Sequence, residues 1–164
     1  MTARLLKKQE LSLVRAIAHE TWPHTFAEIL SPEQISYMLD WMYNLETLGQ
    51  QIDNGHLFYI VEKDRKAIGF LGIQPNFPET GKLKIHKLYV LPKAQGLGAG
   101  KLLIDIAINQ AIDLKQEVVT LNVNKYNKAV EFYSHCGFKI AYDEVIDIGN
   151  GFIMDDYVMK LNVE

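Results

Sequence analysis

The sequence predicts one α/β (α+β) domain built on a mixed sheet, and three observations carry that expectation. Apolar spacing is helical over the first third of the chain and turns strand-like from His56. A glycine-dense turn at 96–100 joins a short apolar strand to a long amphipathic helix that leads into a further strand, a strand–helix–strand crossover. The last segment folds back on Gly149, Asn150 and Gly151 as a hairpin.

The elements follow in order. A first helix is expected over 10–21, with Leu11, Val14, Ile17 and Ala18 on one stripe and Pro23 as its stop. A second opens at Ser31, which can cap, with Pro32 at the first helical position and Gln34 completing a capping box. Ile35, Met38, Leu39 and Met42 form its buried stripe, and a shorter helical piece runs from Leu45 until Asn54 and Gly55 end it. Strands are expected at 56–63 and 66–73 about a tight turn at Asp64 and Arg65, and at 82–91 before Pro92. The helix after the glycine turn carries a polar stripe at Lys101, Asp105, Asn109 and Asp113, so its remaining surface packs on a sheet. Then come a strand at 118–124, a helix at 127–135 ended by Cys136 and Gly137, and the closing strands at 138–148 and 152–163.

Composition narrows the function classes. The 164 residues suffice for one domain with a real core, at 48% hydrophobic and 23% charged residues. A net charge of −3, from 17 basic and 20 acidic residues, speaks against a nucleic-acid partner. No stretch approaches the ~18 apolar residues of a membrane span or reads as a signal peptide, so a cytoplasmic protein is expected. One cysteine, Cys136, rules out an internal disulfide, and His19, His24 and His56 show no ligand spacing, so no metal is assigned.

The glycine turn carries the chemistry. Backbone N–H groups left unpaired at a positive helix end suit a pyrophosphate, and glycines at 96, 98 and 100 leave room for it. A Walker loop is excluded because Gly100 and Lys101 are followed by Leu102 rather than Ser or Thr. A dinucleotide fingerprint is excluded because the turn reads G-x-G-x-G. The pattern present is Q-x-x-G-x-G, on Gln95, Gly98 and Gly100, and a turn that holds no ligand would also accommodate it. Downstream, Asn127, Ala129, Phe132, Tyr133, Gly137 and Phe138 spell N-x-A-x-x-F-Y-x-x-x-G-F.

Together these two motifs resemble the acetyl-CoA loop and the following signature of the GNAT superfamily of N-acetyltransferases. The segments 22–42, 85–92, 121–127 and 149–159 look like its spermidine/spermine-acetyltransferase-like branch. The resemblance implies a mostly antiparallel twisted sheet of about six to seven strands flanked by helices. It implies acetyl transfer from acetyl-CoA to the primary amine of a small cationic substrate, a polyamine among the candidates, by direct attack on the thioester. A protein N-terminal or lysine acetyltransferase and a non-catalytic acyl-CoA-binding domain are the alternatives. By resemblance, Leu88, Tyr89 and Val90 lend backbone groups to pantetheine and thioester, with the Val90 N–H at the oxyanion. Gln95, Gly96, Leu97, Gly98, Ala99, Gly100 and Lys101 wrap the pyrophosphate, Tyr133 protonates the leaving coenzyme A, and a homodimer is expected.

Two assignments depart from the commonest family pattern. A proton acceptor is needed because a free aliphatic amine is protonated at neutral pH. His86 stands where many relatives carry Glu, and regular alternation would turn it to the same face as Leu88 and Val90. Asn127 either contacts the cofactor or caps its helix, and Asn124 is the alternative for the first role. From 141 to 159 the chain carries Asp143, Glu144, Asp147, Asp155 and Asp156 with no Lys or Arg, which would draw in a cation or simply face solvent. Alternation forbids Asp155 and Asp156 from both facing inward.

Overall fold

A computed structural model describes residues 1–163. Seven strands form one sheet: β1 (Thr2–Leu5), β2 (Leu57–Lys63), β3 (Lys66–Gln74), β4 (Lys82–Val90), β5 (Val118–Asn124), β6 (Lys139–Gly149) and β7 (Phe152–Asn162). Their order is β1-β2-β3-β4-β5-β7-β6, antiparallel throughout except at β4 and β5. Helices α1 (Leu11–Thr25), α2 (Pro32–Met42) and α3 (Leu45–Asp53) cover one face. The crossover helix α4 (Ala99–Asp113) and α5 (Ala129–His135) cover the other. Each face has its own core: Leu83, Ile85, Leu103, Ala107, Leu121 and Met159 under α4, and Val14, Trp22, Leu39, Tyr43, Phe58 and Phe70 under α1–α3. Among the described residues no helix is long and apolar enough to cross a membrane.

Local rules explain most elements. Ser31 Oγ accepts the Gln34 N–H at 3.1 Å and starts α2 behind Pro32. Gln34 does not complete the box: its amide donates to Ile153 O at 2.8 Å, and the Tyr37 hydroxyl donates to Ile148 O at 2.8 Å. These two bonds dock α2 on the β6–β7 hairpin, whose turn runs through positive φ at Gly149, Asn150 and Gly151. Pro23 lies inside the last turn of α1 instead of stopping it. So near the end its missing N–H removes one bond only, and Phe26 N–H to Trp22 O at 2.9 Å closes the helix with Trp22 and Phe26 buried. Strand β1 has no counterpart in the sequence reading. It pairs with β2, and Arg4 bonds Glu62 at 2.8 Å and both carboxylate oxygens of Glu10.

Two irregularities of β4 shape one end of the sheet. Strands β4 and β5 pair only from Lys82–Val118 to Ile85–Leu121, after which they part into a wedge. Against β3, Ile73 faces Ile85 but Gly72 faces Lys87, so His86 is the extra residue of a β-bulge. The bulge resets the alternation. Ile85, Leu88 and Val90 face the α4 core, whereas Lys87 and Tyr89 face the α1–α3 core.

Candidate active site

The wedge leaves backbone groups without partners. Leu91 N–H donates to Ile68 O at 2.8 Å, and in an antiparallel ladder such bonded pairs alternate. Tyr89 therefore exchanges its bonds with Phe70, and Lys87 with Gly72. Leu88 and Val90 aim their N–H and C=O groups the other way, into the gap that β5 has vacated. Gln95 Nε2 reaches Val90 O at 3.2 Å from that side. Of the three residues expected to offer main-chain groups, Leu88 has both available and Val90 its N–H, its carbonyl being taken by Gln95. The main chain of Tyr89 is spent on β3, and only its ring lines the region.

Below the wedge, α4 begins without a side-chain cap, and its ladder starts with Leu102 N–H to Gly98 O at 3.0 Å. The N–H groups of Ala99, Gly100 and Lys101 precede that bond and have no acceptor in the helix, the arrangement that binds anions. Gly96 and Gly98 stand at φ 83 and 91, and a Cβ on either would meet no atom within 4 Å. Glycine is there for backbone conformation and open access. Gly100 differs from the expectation: its Cβ would sit 3.1 Å from Phe132 Cζ, so it is a packing glycine that lets α5 approach α4. The two sequence motifs meet at that contact. Leu97 is exposed on the loop, and Lys101 pairs with Asp105.

Tyr133 is 7% exposed, its ring against Phe132 and Phe138. Burial first, and then Cys136, push its hydroxyl well above the ordinary value, so it stays protonated at neutral pH. Asn127 Oδ1 accepts the Ala129 N–H at 2.9 Å, and Asn124 Oδ1 accepts the Tyr126 N–H at 2.9 Å. Both carboxamide oxygens hold the turn into α5, which leaves only their NH2 groups for a ligand.

His86 requires a correction. Because it is the bulged residue, it does not share the face of Leu88 and Val90. Its ring leans across β3, stacked at 4.5 Å on His56 and beside Phe77, with Nε2 2.9 Å from Gln74 Oε1. That direction is away from β5 and the wedge. Burial chiefly, with His56, Lys87 and Lys84 adding, lowers its pKa to about 3, and burial lowers His56 to about 4. The neighbouring Lys87, 4% exposed, donates to Gln51 at 2.9 Å over the rings of Tyr43 and Phe58, and burial lowers it to about 8.

A polar cluster on the α1–α3 face was not singled out in the sequence as a site. Asn122 is its hub: Oδ1 accepts Lys84 Nζ at 2.8 Å, and Nδ2 donates to Glu144 at 2.7 Å and Asp156 Oδ2 at 3.3 Å. Asp156 is 5% exposed, and its other oxygen has no partner among the described residues. Asp155 faces the opposite way, 3.0 Å from Lys125, as alternation requires. The acidic run and its strand parity were visible in the sequence, whereas the partners from β4 and β5 were not.

This combination of a splayed β4–β5 pair, an uncapped glycine turn and a crossover helix defines an acetyltransferase fold, and comparison with known proteins agrees. The profile of the acetyltransferase (GNAT) domain matches residues 26–161, and the chain belongs to that family. It is an acetyl-CoA-dependent N-acetyltransferase. An uncharacterized N-acetyltransferase from the pepI 3' region of Lactobacillus delbrueckii subsp. lactis is 27% identical over 94% of this chain and 93% of the relative. The peptidyl-lysine N-acetyltransferase YjaB of Escherichia coli is 39% identical over 64 residues, 38% of this chain and 40% of the relative. The PaiA N-acetyltransferase of Thermoplasma acidophilum, solved in complex with coenzyme A, superposes with a TM-score of 0.82 at 24% identity over 99% of both chains.

Proposed function

We propose that the enzyme acetylates the primary amine of a small cationic acceptor, with polyamines as the first class to test. The observation that carries this reading is the buried Asp156 with the half-buried Glu144 beside the wedge, in a 141–159 segment that has five carboxylates and no Lys or Arg. Two carboxylates facing one ammonium, that of Lys84, leave a negative pocket that favours a further cation. The spermidine/spermine-acetyltransferase-like pattern of the sequence supports the same acceptor class, and a cytoplasmic homodimer belongs to the same reading.

In this reading the Q-x-x-G-x-G turn, Gln95 to Lys101, receives the pyrophosphate on its free N–H groups. Leu88 pairs with the pantetheine arm as β5 does lower down. The Val90 N–H meets the carbonyl oxygen as it becomes an oxyanion, a donor worth roughly 3–4 kcal/mol when pre-positioned. Tyr133 gives its proton to the departing thiolate, and the NH2 groups of Asn124 and Asn127 steady the cofactor. The 39% match to a lysine acetyltransferase favours a second reading, in which the amine belongs to a protein. A panel of free polyamines, monoamines and peptides, run with acetyl-CoA and thiol detection, separates them. Turnover of free polyamines is expected; turnover of peptides alone overturns the small-amine reading.

A further inference from the structure

We propose that Asp156 is the proton acceptor of the transfer reaction, with Asn122 as the residue that positions it. The inference takes from the proposed function only that the acceptor is an amine. An aliphatic ammonium has a pKa near ~10, so roughly one molecule in a thousand is neutral at pH 7, and the site must remove a proton. His86, the sequence candidate, leans away from the wedge, and its Nε2 is engaged by Gln74.

Asp156 has the placement that His86 lacks. In register it stands between Asn124 of β5 and Glu144 of β6, beyond the last β4–β5 rung at Leu121, where the two strands have separated. Lys84 fixes the amide of Asn122, so its Nδ2 faces the carboxylates and holds Asp156 Oδ2, while Oδ1 is buried and unpartnered. A buried carboxylate oxygen with no partner is costly to keep charged, a cost that an arriving ammonium removes. Facing Asp156 are Lys84 and Tyr89 from β4, Asn122 and Asn124 from β5, and Glu144 from β6; Asp155 acts from the far side of its own strand. Burial raises the Asp156 carboxyl, with Glu144 and Asp155 adding and Asn122 and Lys84 opposing, which brings it closer to the amine it must deprotonate.

The two proton sites lie on opposite sides of the sheet. Tyr133 belongs to the α4–α5 core, and strand parity puts Asp156 on the α1–α3 face. The amine enters from one side and the thiolate leaves on the other. Asp156 takes one proton from the ammonium; the freed nitrogen pair forms the C–N bond and the C–S bond breaks. The thiolate takes the Tyr133 proton, the second amine proton leaves to solvent on the Asp156 side with the one that Asp156 releases, and solvent restores Tyr133 on the other.

The test compares wild type with Asp156→Asn, which keeps shape and removes basicity, in two rates: transfer to an amine across about pH 6 to 10, and acetyl-CoA hydrolysis with no amine present. Coenzyme A affinity by calorimetry and Tm serve as controls. The expected result is a loss of about 10²-fold or more in kcat/KM at pH 7, with affinity within about twofold. The variant's transfer rate then climbs about tenfold per pH unit toward the amine pKa, where wild type has levelled off. Hydrolysis falls in parallel. Asn122→Ser, which frees the carboxylate without removing it, is expected to lose about tenfold with a wild-type pH profile. An Asp156→Asn enzyme with wild-type rates, or one that is slower with an unaltered pH profile, overturns the inference, as does the steep profile appearing in His86→Gln instead. Failure of the small-amine reading looks different: wild type ignores small amines, and the same comparison proceeds on a peptide acceptor and in the hydrolysis rate.

Discussion

Replacing Gly98 by Ala tests whether the turn before α4 is held in its conformation for a ligand. Gly98 sits at φ 91 and ψ 5, and a Cβ there would touch nothing within 4 Å, so the substitution adds no clash and its effect is backbone strain alone. For an L-residue that strain is about 1–2 kcal/mol. It must surface in one of two places. If the free protein keeps the turn, Tm falls and coenzyme A affinity holds. If the turn relaxes, Tm holds and binding must restore the strained form, which weakens affinity by about 5- to 30-fold. Calorimetric titration and thermal melting on one sample read both quantities, and their losses should sum to that range. A Gly98→Ala protein with unchanged melting and unchanged affinity would refute the reasoning. Gly100→Ala provides the contrast, since its added atom meets Phe132 at 3.1 Å and its effect is on α4–α5 packing.

Three further outcomes are expected. Tyr133→Phe should lower kcat about 10²-fold while coenzyme A affinity stays within about twofold; unchanged turnover would remove Tyr133 from the thiolate step. Lys87 is held near 8 against 10.5 when exposed, so between those values the unfolded chain binds more protons and stability rises with pH. Lys87→Met should abolish that rise and stabilise the protein at pH 7 by about 1–3 kcal/mol, read by urea unfolding at several pH values. Ser31→Ala removes the cap of α2 and should cost about 1 kcal/mol in the same assay; no change would mean that docking on the hairpin alone sets the helix start.

What the sequence revealed and concealed follows from the range of the interactions. Caps, turns and crossovers are local: Ser31 with Pro32, Gly98 before α4 and the Gly149–Gly151 turn state their conformation in their own residue types. Strand β5 was legible to its ends because Val119, Leu121 and Val123 alternate with Thr120, Asn122 and Asn124, which specifies its core face. Strand β1 was not, since four residues carry no period and its pairing depends on Arg4 meeting Glu62 and Glu10. The β4 bulge is a property of the pairing with β3, and nothing in its own residues marks it. One extra residue turned His86 from the expected face to the opposite one and buried Lys87. Parity said only that Asp155 and Asp156 cannot both face inward; that Asp156 does is fixed by its register with Asn124 of β5 and Glu144 of β6.

In the proposed mechanism, Leu88 and Val90 offer their amides to the acyl donor across the opening between β4 and β5. Hydrogen exchange on isotope-labelled protein, followed residue by residue with and without saturating coenzyme A, measures this directly. The amides of Leu88 and Val90 should slow markedly on binding, whereas those of Lys87 and Tyr89, already bonded to β3, should keep their rates. Tight binding that leaves Leu88 and Val90 exchanging as before would contradict the account.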